Sequence, residues 1–137
     1  MPVPFGAPYN ASKAALHALT TTLRRELLPS GIHVSLVVPG SIKTEIWKKI
    51  DEQTDRLSQE VLEGYGREMD ALRRAAEKTG GRGIPPEAVG DVVAKALTKN
   101  RPRACYFVGL DAKLQRIAAM FLPDRIQDRF VLRMIGI

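Results

Sequence analysis

The stretch that decides the fold is Ile32-His33-Val34-Ser35-Leu36-Val37-Val38-Pro39-Gly40. It is rich in β-branched residues and nearly continuously apolar toward its end, which is typical of a strand buried in a parallel sheet. Residues 8–29 predict one long helix before it, because Pro8 stands at the start and Pro29-Ser30-Gly31 stops it. A helix, a short turn and a buried strand make half of an α/β unit. The sequence therefore predicts a layered α/β fold.

The rest of the chain predicts helices and one more strand. Residues 45–78 are polar and charged, and we predict two surface helices there that break near Gly64-Tyr65-Gly66. Their apolar residues are sparse, as in a mobile lid, so residues 45–84 are predicted to form a substrate lid. Pro85-Pro86-Glu87 begins a further helix. Residues 104–109 predict a second buried strand.

Apolar residues at helical spacing predict which faces are buried. In the helix of residues 8–29 the predicted core stripe is Ala15, Leu19, Leu23 and Leu27. In the helix that begins after Pro85 the predicted inner face is Val89, Val92, Val93, Ala96 and Leu97. The last segment, residues 111–137, interleaves apolar and basic residues and is broken at Pro123. Such a segment covers a core or a subunit contact, or lies on a membrane surface, and both interpretations stay open.

Length and composition are those of one ordinary domain or part of one. The chain has 137 residues, 45% of them hydrophobic and 26% charged, which suffices for a real core. No run of roughly eighteen apolar residues predicts a membrane span, and residues 1–5 lack the pattern of a signal peptide. The single cysteine, Cys105, cannot form an internal disulfide. We expect an inert core thiol and a cytoplasmic protein.

The formal net charge of +6 raises the question of nucleic acid or anionic lipid as a partner. The basic residues are spread along the chain, and no zinc-ligand spacing, aromatic RNA-binding signature or basic tail accompanies them. We therefore predict a solvated basic surface, no nucleic-acid partner and no metal site.

Tyr9 and Lys13 lie four residues apart, so the predicted helix brings both side chains to one face. A positive neighbour lowers the pKa of a phenol, which can then exchange a proton near neutral pH as general acid–base catalysis requires. The same spacing also arises where a surface tyrosine stacks on a lysine stem. Taken alone, the pair leaves both interpretations open.

Further motifs follow the pair at fixed separations: Tyr9-Asn10-Ala11-Ser12-Lys13-Ala14-Ala15, Leu23-Arg24-Arg25-Glu26-Leu27, Gly31-Ile32-His33-Val34, and Pro39-Gly40 with Thr44. In this order they resemble the short-chain dehydrogenase/reductase family, closely to about residue 45 and in outline to residue 109. The tail resembles the steroid-type or retinol-type branch. The resemblance implies part of a Rossmann-like, doubly wound parallel sheet, namely its last two strands with flanking helices.

The resemblance implies an NAD(P)-dependent oxidoreductase that transfers hydride between nicotinamide and an alcohol or carbonyl, here a small lipophilic alcohol or ketone. By this resemblance Tyr9 is the catalytic acid/base, placed to relieve the charge that develops on the substrate oxygen. Lys13 assists Tyr9 and binds the ribose beside the nicotinamide. Ser12 is not the family's substrate-orienting serine. The oligomeric state stays open, and the alanine-rich face of the first helix is a candidate surface for a homodimer.

The cofactor-binding residues that the resemblance implies follow the strand. Pro39 and Gly40 let the backbone approach the flat nicotinamide ring closely. The backbone of Ile42 and the hydroxyl of Thr44 are expected to bind its carboxamide. The cofactor is NAD or NADP. Trp47 and Tyr65 are candidates for lining the substrate pocket, although core or surface packing explains them equally well.

The chain departs from the family in one large respect. No Gly-rich dinucleotide fingerprint follows a strand, and neither the family's substrate-orienting serine nor its relay asparagine has a counterpart. Residues 1–137 therefore predict a partial domain whose N-terminal cofactor-binding half is absent, and we expect this chain alone to be inactive. The alternative, from another functional class, is a non-catalytic basic amphipathic module that binds a membrane surface or a homologous chain.

Overall fold

A computed structural model describes residues 2, 4–44, 58–81 and 83–136, with the backbone alone at 76–80. In chain order the elements are α1 (Ala7–Leu27), β1 (Leu36–Pro39), α2 (Gln59–Gly80), α3 (Pro86–Thr98), β2 (Cys105–Val108), α4 (Leu110–Phe121) and α5 (Asp124–Ile135). One 3-10 turn, Leu28–Ser30, follows α1. The part of the chain described is thus mixed α/β and mostly helical, as the sequence predicts.

The two strands pair in parallel, which confirms the predicted type of sheet. The register pairs Leu36 with Cys105, Val37 with Tyr106, Val38 with Phe107 and Pro39 with Val108. Parallel strands need a crossover connection, and the chain between these two includes α2 and α3. The carboxyl ends of both strands consequently lie at one edge of the sheet.

β1 is shorter and less buried than the sequence predicts. The predicted strand covers residues 32–38, whereas pairing spans Leu36–Pro39, because the partner strand begins only at Cys105. Ahead of it, the Ser35 hydroxyl donates to the Arg103 carbonyl at 2.8 Å instead of continuing the ladder. Leu36, Val37 and Val38 are half-buried, so the prediction of a fully buried strand is wrong for the described chain.

α1 forms where its sequence signals place it. Pro8 lies in its first turn, and Arg24 and Arg25 in its last turn complement the helix dipole. Gly31 ends the following 3-10 turn with a φ of 74°, a conformation that favours glycine. The predicted core stripe is wrong, however, because no described residue of α1 is buried and Leu19 is 55% exposed.

α2 corrects the prediction of two helices broken at Gly64-Tyr65-Gly66. A single helix runs from Gln59 to Gly80 through both glycines. Glycine costs a helix interior only about 1 kcal/mol relative to alanine, and the surrounding strong helix formers offset that cost. Residues 45–57, the first part of the predicted lid with the candidate pocket residue Trp47, lie outside the described residues.

The buried side chains that the structure describes are few and fall into two places. Val108 at the end of β2 lies near Ala112 on α4, which packs against β2. α2 packs on α5, where Ala71 and Ile135 line one groove and Val131 is buried one turn before Ile135. These buried side chains therefore all lie between Ala71 and Ile135, in the later part of the chain.

The last three helices begin at prolines or follow a strand, as predicted. α3 contacts both strands, but its predicted inner face is only partly correct, since Leu97 is 80% exposed and Val93 is also exposed. Pro123 separates α4 from α5 as predicted. Within the described residues, no helix is both long enough and apolar enough to cross a membrane.

Candidate active site

The first turns of α1 bring the phenol and the ammonium together. Lys13 Nζ lies 5.2 Å from the centroid of the Tyr9 ring, as the four-residue spacing predicts. Tyr9 is 65% exposed and Lys13 is exposed, so both can be reached by a ligand. Because one helix carries both groups, their mutual placement depends on local backbone geometry alone.

Ser12 is engaged with the backbone of the same helix. Its hydroxyl donates to the Tyr9 carbonyl at 2.7 Å, a bond that any serine three residues along a helix can make. This geometry agrees with the expectation that Ser12 does not orient the substrate.

An aromatic pair lies just ahead of α1. The rings of Phe5 and Tyr65 meet edge to face, with centroids 6.1 Å apart and planes at 65°. Phe5 has a φ of 62°, an uncommon conformation for a residue with a side chain. This contact joins α2 to the chain four residues before Tyr9. The sequence singles out Tyr65, but it contains no signal for its partner Phe5.

Residues 39–44, called here the 39–44 turn, leave the carboxyl end of β1 and are bonded to two other segments. The Gly40 N–H donates to the Val108 carbonyl at 2.9 Å. The Ile84 N–H donates to the Ser41 carbonyl at 2.8 Å, and the Lys43 N–H donates to the Ile84 carbonyl at 2.9 Å. The turn is therefore fixed on one side by a short parallel bridge between Ile42 and Ile84.

This bridge determines where the peptide groups of Ile42 point. Ile84 bonds to the residues on either side of Ile42, so the N–H and C=O of Ile42 face away from Ile84. No residue that the structure describes accepts or donates a hydrogen bond there. A donor and an acceptor side by side match a primary carboxamide, so these backbone groups fit that end of a nicotinamide. The Thr44 side chain is exposed close by in sequence.

Asp111, in the first turn of α4, is also bonded to the 39–44 turn. Its Oδ2 accepts a hydrogen bond from the Ser41 N–H at 2.6 Å. A Cβ atom at Gly40 would overlap this carboxylate, which explains why a glycine stands there. Sequence reasoning missed Asp111, because an acidic residue at the start of a helix has an ordinary role beside the helix dipole.

Cys105 lies on β2 and is half-buried. Burial raises the pKa of its thiol, and the Arg116 guanidinium opposes that rise. Arg116 in turn lies over the Phe107 ring, 4.7 Å from its centroid. A raised pKa keeps the thiol protonated and unreactive, which agrees with the predicted inert cysteine.

The pair on α1 and the turn after β1 both lie within the part of the chain that matches a known family. The sequence profile of the family described as short chain dehydrogenase matches residues 1–55. Over these residues the chain is similar to the short-chain dehydrogenase family. Tyr9, Lys13 and residues 39–44 all fall within the matched residues.

Relatives match nearly the whole chain. An NADPH-dependent 3-dehydrocapnine reductase from Ornithobacterium rhinotracheale is 38% identical over 92% of this chain and 44% of its own length. The human 11-beta-hydroxysteroid dehydrogenase type 2 is 32% identical over 96% of this chain and 35% of its own length. Retinol dehydrogenase 5 from Mus musculus is 32% identical over 90% of this chain and 42% of its own length.

The chain thus spans less than half of the length of these curated relatives. Their names describe dehydrogenases and a reductase, and two of them name a steroid or retinol. The resemblance of the tail to the steroid-type or retinol-type short-chain dehydrogenases is therefore confirmed.

Proposed function

We propose that this chain carries the proton-transfer residues and the nicotinamide-contacting backbone of an NAD(P)-dependent oxidoreductase. The observation that carries the proposal is the Tyr9 phenol beside the Lys13 ammonium, with Nζ 5.2 Å from the ring centroid on an exposed helix face. The fixed 39–44 turn, whose Ile42 backbone matches a carboxamide, supports the same function.

In this proposal Tyr9 transfers the proton and Lys13 supplies a positive charge beside it. The bound nicotinamide supplies or accepts the hydride. In the reducing direction the Tyr9 O–H donates its proton to the substrate oxygen as negative charge develops there, and in the oxidising direction the phenolate takes that proton back. The Lys13 ammonium lies over the Tyr9 ring and would hydrogen-bond the ribose hydroxyls of the bound cofactor. Ile42 and Thr44 hold the carboxamide, and Pro39 and Gly40 allow the ring to approach.

The proposed substrate is a small lipophilic alcohol or ketone. Two relatives are named for steroid and retinol substrates, which supports this class. The Phe5 and Tyr65 rings are 48% and 56% exposed just ahead of Tyr9, so they offer aromatic surface to an apolar ligand. A cytoplasmic location stays a prediction, and the cofactor stays either NAD or NADP.

A hybrid protein tests the function. The aligned 92% of this chain replaces the corresponding segment of the Ornithobacterium rhinotracheale reductase, and hydride transfer from NADPH to that reductase's own substrate is followed by nicotinamide absorbance. We expect turnover in the hybrid and a loss of about 10²–10⁴-fold with Tyr9→Phe, the range of general acid–base catalysis.

Tyr65→Phe is the matched control, because it removes a phenol oxygen and keeps the aromatic pair; it should leave turnover within about twofold. A hybrid that unfolds cooperatively, binds NADPH and transfers no hydride contradicts the proposal. So does a Tyr9→Phe hybrid with full turnover.

Exposed apolar residues on the last two helices favour a second activity, binding to an anionic membrane surface. Leu110, Leu114 and Phe121 are 78%, 64% and 74% exposed, and basic residues such as Lys113 and Arg125 are exposed among them. Co-sedimentation with phosphatidylserine vesicles, lost at high salt, is the expected result. Absence of binding at low salt contradicts it.

Self-association through α1 is proposed from the same kind of observation. Leu16 and Leu19 are 46% and 55% exposed, beside exposed alanines that allow a second helix to approach closely. Sedimentation equilibrium should show a dimer that Leu19→Lys dissociates, and a monomer at all concentrations contradicts this.

A further inference from the structure

We propose that Asp111 is a positioning residue that holds the backbone of the 39–44 turn in one conformation. For its effect on catalysis this inference rests on the proposed function, because the turn then contacts the nicotinamide. The conformational claim itself concerns only residues of this chain.

The carboxylate is bonded directly to the turn. Its Oδ2 accepts the Ser41 N–H at 2.6 Å in a partly buried setting, across a separation of 70 residues. A hydrogen bond to a charged acceptor is roughly twice as strong as a neutral one. The Ser41 N–H therefore has a defined partner in Asp111, in addition to the bond that the Ser41 carbonyl accepts from Ile84.

Two glycines make room for this carboxylate. A Cβ at Gly40 would overlap the Asp111 carboxyl group, and a Cβ at Gly109 would lie 2.5 Å from its Oδ1. Gly109 also has a φ of 100°, which side-chain-bearing residues rarely adopt. The backbone thus encloses the carboxylate between the end of β1 and the start of α4, and an acidic residue that served only the helix dipole would not require this.

Gly83 is a third glycine that lies close to the backbone of the 39–44 turn. A Cβ at Gly83 would lie 2.7 Å from the carbonyl carbon of Ile42 and 2.8 Å from the nitrogen of Lys43. The turn is therefore held by Gly83-Ile84 and by Asp111, which bond to its backbone at Ser41 and Lys43. Removing the Asp111 carboxylate leaves the peptide group between Gly40 and Ser41 without its acceptor, and a rotation of that group misdirects the Ile42 N–H that follows it.

The first readout is amide hydrogen exchange measured by NMR on the 137-residue chain without cofactor. Asp111→Ala should accelerate exchange of the Ser41 amide at least about tenfold, because a bond to a charged acceptor is lost. The Val38 amide inside β1 should stay within about twofold. Asp111→Asn keeps an oxygen acceptor, and its Ser41 exchange should fall between the wild-type and alanine values.

Asp124→Ala is the matched control, since Asp124 is also an acidic residue in the first turn of a helix. It should leave Ser41 exchange unchanged. The second readout is the KM for NADPH of the hybrid reductase described above, which Asp111→Ala should raise about tenfold and Asp124→Ala should leave within about twofold.

Each outcome decides between two statements. Unchanged Ser41 exchange in Asp111→Ala, or equal acceleration at Val38, overturns the positioning role. If Asp111→Ala unfolds the chain, the Asn variant decides: faster exchange confined to Ser41 supports the role, and unchanged exchange overturns it. Accelerated Ser41 exchange with an unchanged KM overturns the link to the cofactor. A wild-type hybrid without turnover means that the proposed function fails, while the exchange results still test Asp111.

Discussion

The two groups of candidate site residues, which no described hydrogen bond or ring contact joins, are positioned in opposite ways. Tyr9 and Lys13 share one exposed helix face and are placed by a four-residue spacing, with no described residue of α1 buried. The 39–44 turn is held by Val108, Ile84 and Asp111, all from distant parts of the chain. One part is positioned by local helix geometry and the other by tertiary contacts.

This difference separates two kinds of sensitivity. A substitution on the Tyr9 face should change chemistry and leave folding nearly intact, since exposed helix positions contribute little to stability. A substitution in the turn should change stability and ligand geometry together, because its neighbours cannot move independently. Variants in each part can therefore test whether chemistry and folding stability depend on different residues.

The largest effect is expected from moving the ammonium along the helix. In Ala11→Lys/Lys13→Ala the charge stays on α1 but lies two residues from Tyr9, and residues so spaced do not face each other. Turnover of the hybrid reductase should fall about 10²-fold or more. The free energy of unfolding of the chain should change by less than about 0.5 kcal/mol.

Ala11→Lys alone is the control for the added charge, and it should keep turnover within about twofold. If the double variant remains active, helix spacing does not position the pair. A large loss of stability would show that the α1 face is packed after all.

Gly40→Ala should show the opposite pattern. The added methyl group meets the Asp111 carboxylate, so unfolding free energy should fall by about 1–3 kcal/mol, the usual cost of overpacking. In an Asp111→Ala background the same change should cost about 1 kcal/mol less, since contacting residues couple. Urea unfolding measures both, with Gly90→Ala as the control where a Cβ meets nothing within 4 Å. Equal losses at Gly40 in both backgrounds would argue against the close approach.

A smaller effect of opposite sign is expected at Gly64. It lies inside α2, and a Cβ added to it would meet nothing within 4 Å, so Gly64→Ala should stabilise the chain by about 0.5–1 kcal/mol. Gly31 has equally open space but a φ of 74°, so Gly31→Ala should destabilise it. Thermal unfolding distinguishes the two. Destabilisation by Gly64→Ala would favour the broken helix that the sequence predicts.

The smallest effect is expected at the Cys105 thiol on β2. Burial raises the pKa of Cys105 above its ordinary 9.0, so the folded chain holds this proton more tightly than the unfolded chain. The contribution of this thiol to the free energy of unfolding is fully present below its ordinary pKa, and it is lost as the pH rises through the raised pKa. Relative to Cys105→Ser, the wild type should therefore lose stability only above about pH 9. A difference in unfolding free energy between the wild type and Cys105→Ser that is the same at every pH would contradict this expectation.

Sequence patterns predicted what depends on short-range order. The spacing of Tyr9 and Lys13, the prolines that begin helices, and the two apolar runs of residues 32–38 and 104–109 led to the pair, the helices and the parallel sheet. The family resemblance added the 39–44 turn. These features depend on neighbours in the chain, which a single sequence displays directly.

What the sequence did not predict depends on partners distant in the chain. The ends of β1 depend on where Cys105 begins its strand, and the exposure of Leu19 depends on what lies against α1. Asp111 was missed because its distinguishing feature is a bond to Ser41, 70 residues away. Gly64 was taken for a helix break because propensity alone does not weigh the contacts of α2 with α5.

The separation between Ser41 and Asp111 also has a kinetic consequence. Isolated helix turns form within about a microsecond, whereas the turn can be completed only after a 70-residue loop closes and β2 docks beside β1. Under the proposed function, a chain emerging from a ribosome would form the Tyr9–Lys13 pair before the 39–44 turn is in place to bind a cofactor. The 39–44 turn, rather than the Tyr9–Lys13 pair, would then be the later of the two to form during biosynthesis.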